Sequence, residues 1–195
     1  MIKQAVLLAL GLLTLSTGCL PEPYPEPNEQ KIVYLAFEAN TEEEKLFSQD
    51  VMHELSRGMS GKHQIVVDEL RESITVNLFS EQTTSFALRD LMDSITVSPS
   101  EDKALISAIN RAALLGQDGV AVTAIIVSSG TVDKNSLLQI ESVAQKIQPN
   151  THLYILGVSE QNRLPMSQAF AKVKGNVKLG SSDVEMLTAI GNLKR

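Results

Sequence analysis

The chain has 195 residues, a formal net charge of −6 and a hydrophobic fraction of 43%. That length and apolar content suit a single folded domain. The negative balance argues against nucleic acid, whose phosphates call for clustered Lys and Arg, and the absence of Trp with aromatics at only 4% removes the usual stacking platforms for bases and sugars.

The N-terminus has the three parts of a secretory signal. Lys3 supplies the positive charge, residues 5–15 form an uncharged apolar run, and the small residues Ser16, Thr17 and Gly18 follow. The run falls short of the ~20 apolar residues that a membrane-spanning helix needs. Leu15-Ser16-Thr17-Gly18-Cys19 resembles a bacterial lipobox, with Ser16 where that motif usually has Leu. The resemblance implies that Cys19 receives a diacylglycerol and acyl chains such as palmitate. Cys19 is also the chain's only cysteine, and lipidation would consume a thiol that is otherwise odd in an exported protein. Two or more acyl chains give stable anchoring where one gives only marginal binding. Leu20, in place of Asp, favours the outer membrane in a two-membrane bacterium, on its periplasmic side or its surface.

Residues 20–30 carry Pro21, Pro23, Pro25 and Pro27 in alternation with other residues. Proline fixes φ and pushes its predecessor toward extended conformations. The segment should span roughly 30 Å as a polyproline-II-like spacer. A proline-recognition ligand is the rival reading, disfavoured because no basic residue flanks the prolines. The expected organisation is a signal peptide over 1–18, a lipidated tether over 19–30 and a folded domain over 31–195.

Within that domain, residues 31–37 read as a β-rich run. Residues 41–57 read as a helix, with apolar residues near a 3.6 period and capping-box spacing between Thr41 and Glu44. Two strands, 63–67 and 73–79, flank a turn at about 70–72, although 66–72 also fits a helix. Helices are expected at 85–94 and 102–115, and a buried strand, almost wholly apolar, at 120–127. A helix follows at 134–147 and an apolar strand at 152–158. The next helix is expected at 165–173, with Pro165 in its first turn. A short strand at 176–179 and a helix at 183–193 end the chain. Apolar strands alternating with helices predict an α/β, Rossmann-like fold. Its central sheet is mainly parallel, with helices on both faces and an antiparallel hairpin at one edge.

The order of elements resembles a von Willebrand factor A domain. Ala-Leu-Ile-Ser-Ala-Ile-Asn-Arg-Ala-Ala at 104–113 is similar to the family's helix before the central strand. Ala-Ile-Ile-Val-Ser-Ser-Gly at 124–130 resembles the strand that usually ends in Thr-Asp-Gly, and His-Leu-Tyr-Ile-Leu-Gly-Val at 152–158 the strand after it. The resemblance covers residues 31–195. It implies a loop site in which the family gathers metal-binding oxygens from three strand ends. Glu38-Ala39-Asn40-Thr41-Glu42 stands here in place of Asp-x-Ser-x-Ser. The second loop offers Ser98, Ser100, Glu101, Asp102 and Lys103 but no Thr, and Ser128-Ser129-Gly130 replaces Thr-Asp-Gly. The candidate ligand or degenerate metal-site residues are therefore Glu38, Asn40, Glu42, Asp102, Ser128 and Ser129. They read either as solvated loop residues or as a non-standard cation site, and no resident metal or cofactor is expected.

No catalytic set is visible. His53, His63 and His152 stand apart without motif spacing and are expected at the surface. No Gly-x-Ser-x-Gly elbow or phosphate-binding glycine loop occurs. Glu42, Glu43 and Glu44 at a helix start suit the helix dipole, or else present a surface to a cation or a basic partner. The expected role is a membrane-anchored, non-enzymatic domain that docks an envelope protein partner. The alternatives are a structural subunit of an envelope secretion or conjugation assembly, and a small-molecule or metal receptor.

Overall fold

The computed structural model describes residues 31–58, 63–72, 74–82 and 85–180, with backbone alone for 74–82 and 85–87. The expected signal peptide, Cys19, the tether and the helix at 183–193 lie outside the described residues.

Among the described residues, β1 (Lys31–Phe37), α1 (Glu42–Gly58), β2 (His63–Arg71), β3 (Ile74–Gln82), α2 (Ser85–Ser94) and α3 (Asp102–Leu115) follow one another. Then come β4 (Ala121–Val127), α4 (Lys134–Ala144), β5 (Thr151–Leu156), α5 (Glu160–Ala169) and β6 (Asn176–Gly180). The strands form one six-stranded sheet in the order β3-β2-β1-β4-β5-β6. Five strands are parallel, and β3 pairs antiparallel with β2 at one edge. The α/β architecture and the edge hairpin read from the sequence are both present.

Side-chain alternation along each strand divides the core. Val33, Leu35 and Phe37 of β1, with Ile125 and Val127 of β4, face α1 and α2 and pack with Val51, Met52, Leu55 and Leu88. Tyr34 and Ala36, with Ala124 and Ile126, face the other side and meet α3, α4 and α5. α3 buries four alanines, Ala104, Ala108, Ala112 and Ala113. Small side chains on helix and strand let the α3 axis lie close to the centre of the sheet. A parallel strand buried on both faces reads as a continuous apolar run, which is why β1 and β4 were legible in the sequence.

The capping residues of α1 also behave as their spacing suggests, with one shift. The Thr41 hydroxyl accepts a hydrogen bond from the Glu44 amide at 3.2 Å. The Glu44 carboxylate reaches back one residue beyond the usual box and accepts from the Asn40 amide at 2.9 Å. Thr41→Ala is expected to destabilise the domain by about 1 kcal/mol and lower its melting temperature by about 2–4 °C. An unchanged thermal melt would remove the cap from the stability of α1.

Several expectations need correction. The stretch at 66–72, which also fitted a helix, is strand as far as Arg71, with an irregularity between Val67 and Asp68. Main-chain pairing on both sides settles a local ambiguity that propensity leaves open. The reversal falls at Glu72, whose φ is +46°, at the end of the expected turn. α5 starts at Glu160, not Pro165, with Ser159 at its N-cap, so Pro165 lies inside the helix. α4 ends at Ala144, and Lys146 and Ile147 donate to carbonyls only three residues back, a tightened last turn before Pro149. His63, expected at the surface, is buried, because β2 is flanked by β1 and β3; His53 and His152 are exposed as expected.

Candidate functional site

The sheet order reverses direction between β1 and β4, which lie side by side with Phe37 opposite Val127. Crevices in open α/β sheets form outside the strand C-termini at such a reversal. The loops leaving β1 and β4 must diverge here, and the chain fills the gap with polar side chains.

Glu38 follows β1 directly. Its amide donates to the Val127 carbonyl at 2.9 Å, extending the ladder by one residue. Its side chain is turned inward, leaving the residue only 6% exposed. Oε1 accepts from the Ser128 hydroxyl at 2.7 Å and Oε2 from the Ser129 amide at 3.2 Å. Its carbonyl oxygen accepts from the Ser48 hydroxyl of α1 at 3.0 Å. The Ser128 hydroxyl in turn accepts from the Gly130 amide at 3.1 Å. Burial pushes the Glu38 carboxyl up to about 7. The hydrogen bonds from Ser128 and Ser129 hold it down from going further, while the charges of Glu44 and Asp102 raise it.

Asn40 points sideways along the rim. Its Oδ1 accepts from the Ser100 amide at 2.6 Å. The loop ahead of α3 is pinned there further: the Ser98 amide donates to the Ala39 carbonyl at 2.8 Å, and the Ser98 hydroxyl to Glu69 Oε1 at 2.7 Å. Asp102 opens α3, and its Oδ2 accepts from the Asp133 amide at 2.8 Å. Asp133 then caps α4 by accepting from the Ser136 amide at 2.6 Å, and that backbone bond, ahead of other causes, lowers its carboxyl below the usual range.

The structure thus brings five of the six sequence-read residues to one rim, through direct contacts or through the loops they tie. Glu42 does not join them. It sits exposed in the first turn of α1, with its carboxylate 3.2 Å from Lys45 Nζ. A helix N-terminus favours carboxylates, and the first turn of α1 holds Glu42, Glu43 and Glu44. Glu44, read as a capping residue, also lines the crevice, together with Glu38, Phe47, Val127, Ser128, Ser129 and Gly157.

That crevice holds only ≈ 40 Å³, little more than one water occupies in the liquid and far below the ~300 Å³ of a small-molecule site. A wider hollow of ≈ 390 Å³ lies beside α5 and β6, lined by Arg163, Phe170 and Leu179 among others, and includes none of the candidate residues. Gly157 forms one wall of the crevice. Its φ is +90°, and a Cβ there would stand 3.3 Å from the Ser128 carbonyl oxygen and 3.6 Å from the Phe47 ring. Gly157→Ala should cost about 1–2 kcal/mol from backbone strain alone. Urea denaturation reads that loss; a cost below about 0.5 kcal/mol would mean that the loop adjusts freely.

A second polar cluster escaped the sequence reading. Asp68 of β2 is fully buried, and its Oδ2 accepts from the Tyr34 hydroxyl at 3.0 Å. Arg111 of α3 places Nε 3.1 Å from the same oxygen. The Tyr34 phenol is held far above its ordinary range, by burial first and then by the charge and hydrogen bond of Asp68. The available signal was an acidic residue, Asp68, within the apolar run of a strand; nothing local points to Arg111 on α3.

No protein-family model matches the chain, and no curated protein matches its sequence. Solved structures do resemble it. A von Willebrand factor type A structure from Catenulispora acidiphila superposes with a TM-score of 0.64 at 7% identity, over 85% of this chain and 42% of that one. BatB from Bacteroides thetaiotaomicron gives 0.59 at 12% identity, over 84% of this chain and 96% of that one. An aerotolerance-related membrane protein from Bacteroides fragilis, crystallised with multiple mutations to serines, gives 0.59 at 11% identity, over 84% and 98%.

The fold is von Willebrand A-like. At these identities the likeness is one of fold, and the loop chemistry has to be judged on this chain's own residues. The von Willebrand A arrangement implies a divalent cation held by oxygens of the three strand-end loops, and the residues here do not fit it. Both Glu38 oxygens, Asn40 Oδ1 and Asp102 Oδ2 already accept hydrogen bonds within the protein. A hard cation such as Mg²⁺ requires several oxygens free to converge on one point. Among the described residues, no three His, Cys, Asp or Glu side chains are grouped to hold a metal.

Proposed function

We propose that this chain is a lipid-anchored, non-enzymatic interaction module of a bacterial envelope. Cys19 carries the lipid, residues 20–30 space the domain from the membrane, and the strand-end rim of the von Willebrand A-like domain docks a protein partner. The observation that carries the reading is the filled crevice. Side chains that would line a ligand pocket are spent on holding loops together, so the rim presents a surface and leaves no cavity for a small ligand. Ser128 and Glu38 lie within hydrogen-bond distance, but Ser128 is 2% exposed and its hydroxyl is already engaged by Gly130, so no substrate reaches it. The membrane attachment is drawn from the lipobox-like sequence. Among the described residues no helix is long and apolar enough to cross a membrane.

A second reading has a specific observation behind it. Leu114, Leu138 and Leu164 are at least half exposed on α3, α4 and α5, the helices that cover one face of the sheet. Exposed apolar residues on neighbouring helices suit a structural subunit that packs by its helical face.

Two experiments test the anchor and the choice between these surfaces. Metabolic labelling with palmitate, followed by fractionation, tests the anchor. The intact chain should label and sediment with membranes, and Cys19→Ala should do neither. A Cys19→Ala protein that is still membrane-bound and processed would remove the anchor. Photocrosslinking in cells from positions 42 and 131, both exposed near the rim, is expected to trap one partner, whereas positions 138 and 164 trap none. The reverse pattern would replace rim docking with helical-face assembly.

A further inference from the structure

The strand-end loops of this domain are tied to one another by a closed circuit of side chains. Glu38 crosses from the end of β1 to the loop after β4, engaging the Ser128 hydroxyl at 2.7 Å and the Ser129 amide at 3.2 Å. Asn40 crosses from the same β1 loop to the Ser100 amide ahead of α3, at 2.6 Å. Asp102, two residues further on, crosses to the Asp133 amide in the loop between β4 and α4, at 2.8 Å. The circuit therefore runs from the β1 loop to the α3 loop, on to the β4 loop and back to Glu38.

Each tie uses a side-chain oxygen as acceptor, and each donor belongs to a different loop from its acceptor. In a cation-organised site, oxygens from separate loops converge on the ion, and its charge holds the loops in place. Here the same class of oxygen accepts from a backbone amide or hydroxyl on another loop. The length of Glu38 matters: one methylene longer than Asp, it spans to Ser128 and Ser129 on β4's side. A buried carboxyl group that accepts two hydrogen bonds, one of them from a backbone amide, holds the two loops at a fixed spacing, since losing either bond would leave a buried polar group unpaired.

We infer that this hydrogen-bonded circuit replaces a divalent cation as the organiser of the strand-end face, so that the face is ordered, and its docking competent, with or without divalent metal. Loop ordering stands on the contacts alone; the statement about docking rests on the function proposed above.

The test is amide hydrogen exchange on the full chain, first in EDTA and then with millimolar Mg²⁺, Mn²⁺, Ca²⁺ or Zn²⁺. The amides of Ser100, Ser129 and Asp133 should exchange at least about tenfold more slowly than in an open chain, already in EDTA. Adding metal should change these rates by less than about twofold, and the melting temperature should not move. A bound cation would instead raise the melting temperature by about 5–10 °C at a hundredfold excess over its dissociation constant. Asn40→Ala removes one tie and should accelerate exchange at Ser100 more than at the distant core amides of β5. Open-chain exchange rates in EDTA that become slow on adding a cation would overturn the inference, as would a metal-induced rise in melting temperature abolished in Glu38→Gln. Unaltered Ser100 exchange in Asn40→Ala would overturn the circuit as the source of order. Protection that is independent of metal, combined with no crosslinked partner at positions 42 and 131, would leave the metal-free ordering of the face standing and sink rim docking.

Discussion

The difference in unfolding free energy between the intact domain and Glu38→Gln is expected to shift by about 3 kcal/mol between pH 4.5 and about pH 8, against the intact protein as pH rises. The Glu38 carboxyl ordinarily titrates near 4.5 and is pushed up to about 7 in the fold. A carboxyl whose pKa is raised by folding binds its proton more tightly in the native state. Its stabilising contribution is complete below the unfolded pKa and is lost progressively up to the folded one. The window for Glu38 is therefore about pH 4.5 to 7, with the lower stability on the alkaline side. The cause is burial, reinforced by the charges of Glu44 and Asp102 and partly offset by the bonds from Ser128 and Ser129. Glutamine keeps the length and an oxygen acceptor but cannot ionise, so its curve lacks this slope. Urea denaturation of both proteins across the window gives the difference directly. A difference that stays constant with pH would mean that Glu38 titrates normally and that its burial carries no penalty.

Asp68→Ala should be costlier than any substitution at the rim, about 3 kcal/mol. Asp68 is fully buried and shares one oxygen between the Tyr34 hydroxyl at 3.0 Å and Arg111 Nε at 3.1 Å. Removing it deprives a buried phenol of an acceptor and leaves a guanidinium over the sheet without its counter-charge. Arg111 is partly exposed, 38% by side chain, so it can recover some hydration and the cost falls at the lower end of the range for buried pairs. Tyr34→Phe removes only one neutral donor to a charged acceptor and should cost about 1–2 kcal/mol. A double-mutant cycle of Asp68→Ala with Arg111→Met isolates the ion pair. If Asp68→Ala destabilises by less than about 1 kcal/mol, the pair is incidental to stability. The position of the pair gives it a structural consequence as well. Asp68 follows the irregularity in β2, and Arg111 belongs to α3, so the pair joins the strand next to the edge of the sheet to the helix that covers its centre.

The unequal costs of these substitutions follow from where each charge lies. Glu42 and Lys45 are close together, but they sit at the surface, where such pairs contribute little. Glu38 and Asp68 are carboxylates with low exposure, and their surroundings decide whether each is stabilised or strained. Asp68 has a guanidinium beside it. Glu38 has only neutral donors and two acidic neighbours. Removing Asp68 therefore breaks a buried ion pair, whereas ionising Glu38 costs stability.

The chain's order of strands and helices was readable from local pattern. Parallel strands buried on both faces carry apolar runs, as in β1, β4 and β5, and α3 shows its alanine-rich buried face at helical spacing. Glu38, Ser128 and Ser129 were placed together through the resemblance to the von Willebrand A loops, and strand ends at a sheet reversal do converge. Boundaries set by distant partners were not readable. The first turn of α5 forms where the Asn162 side-chain Nδ2 donates to the Ser129 carbonyl at 3.2 Å and the Thr131 hydroxyl at 3.1 Å, and nothing in residues 159–164 announces those contacts. Glu42 and Glu44 are indistinguishable by type and lie two positions apart. The helical turn sends one into solvent and brings the other back to the Asn40 amide. Tyr34, Asp68 and Arg111 are separated by more than thirty residues at each step. Composition and periodicity report which face a residue prefers, and they fall silent on which atom it meets there. That meeting depends on register, on side-chain length and on the packing of α3 against the sheet, and these exist only once the chain has closed on itself.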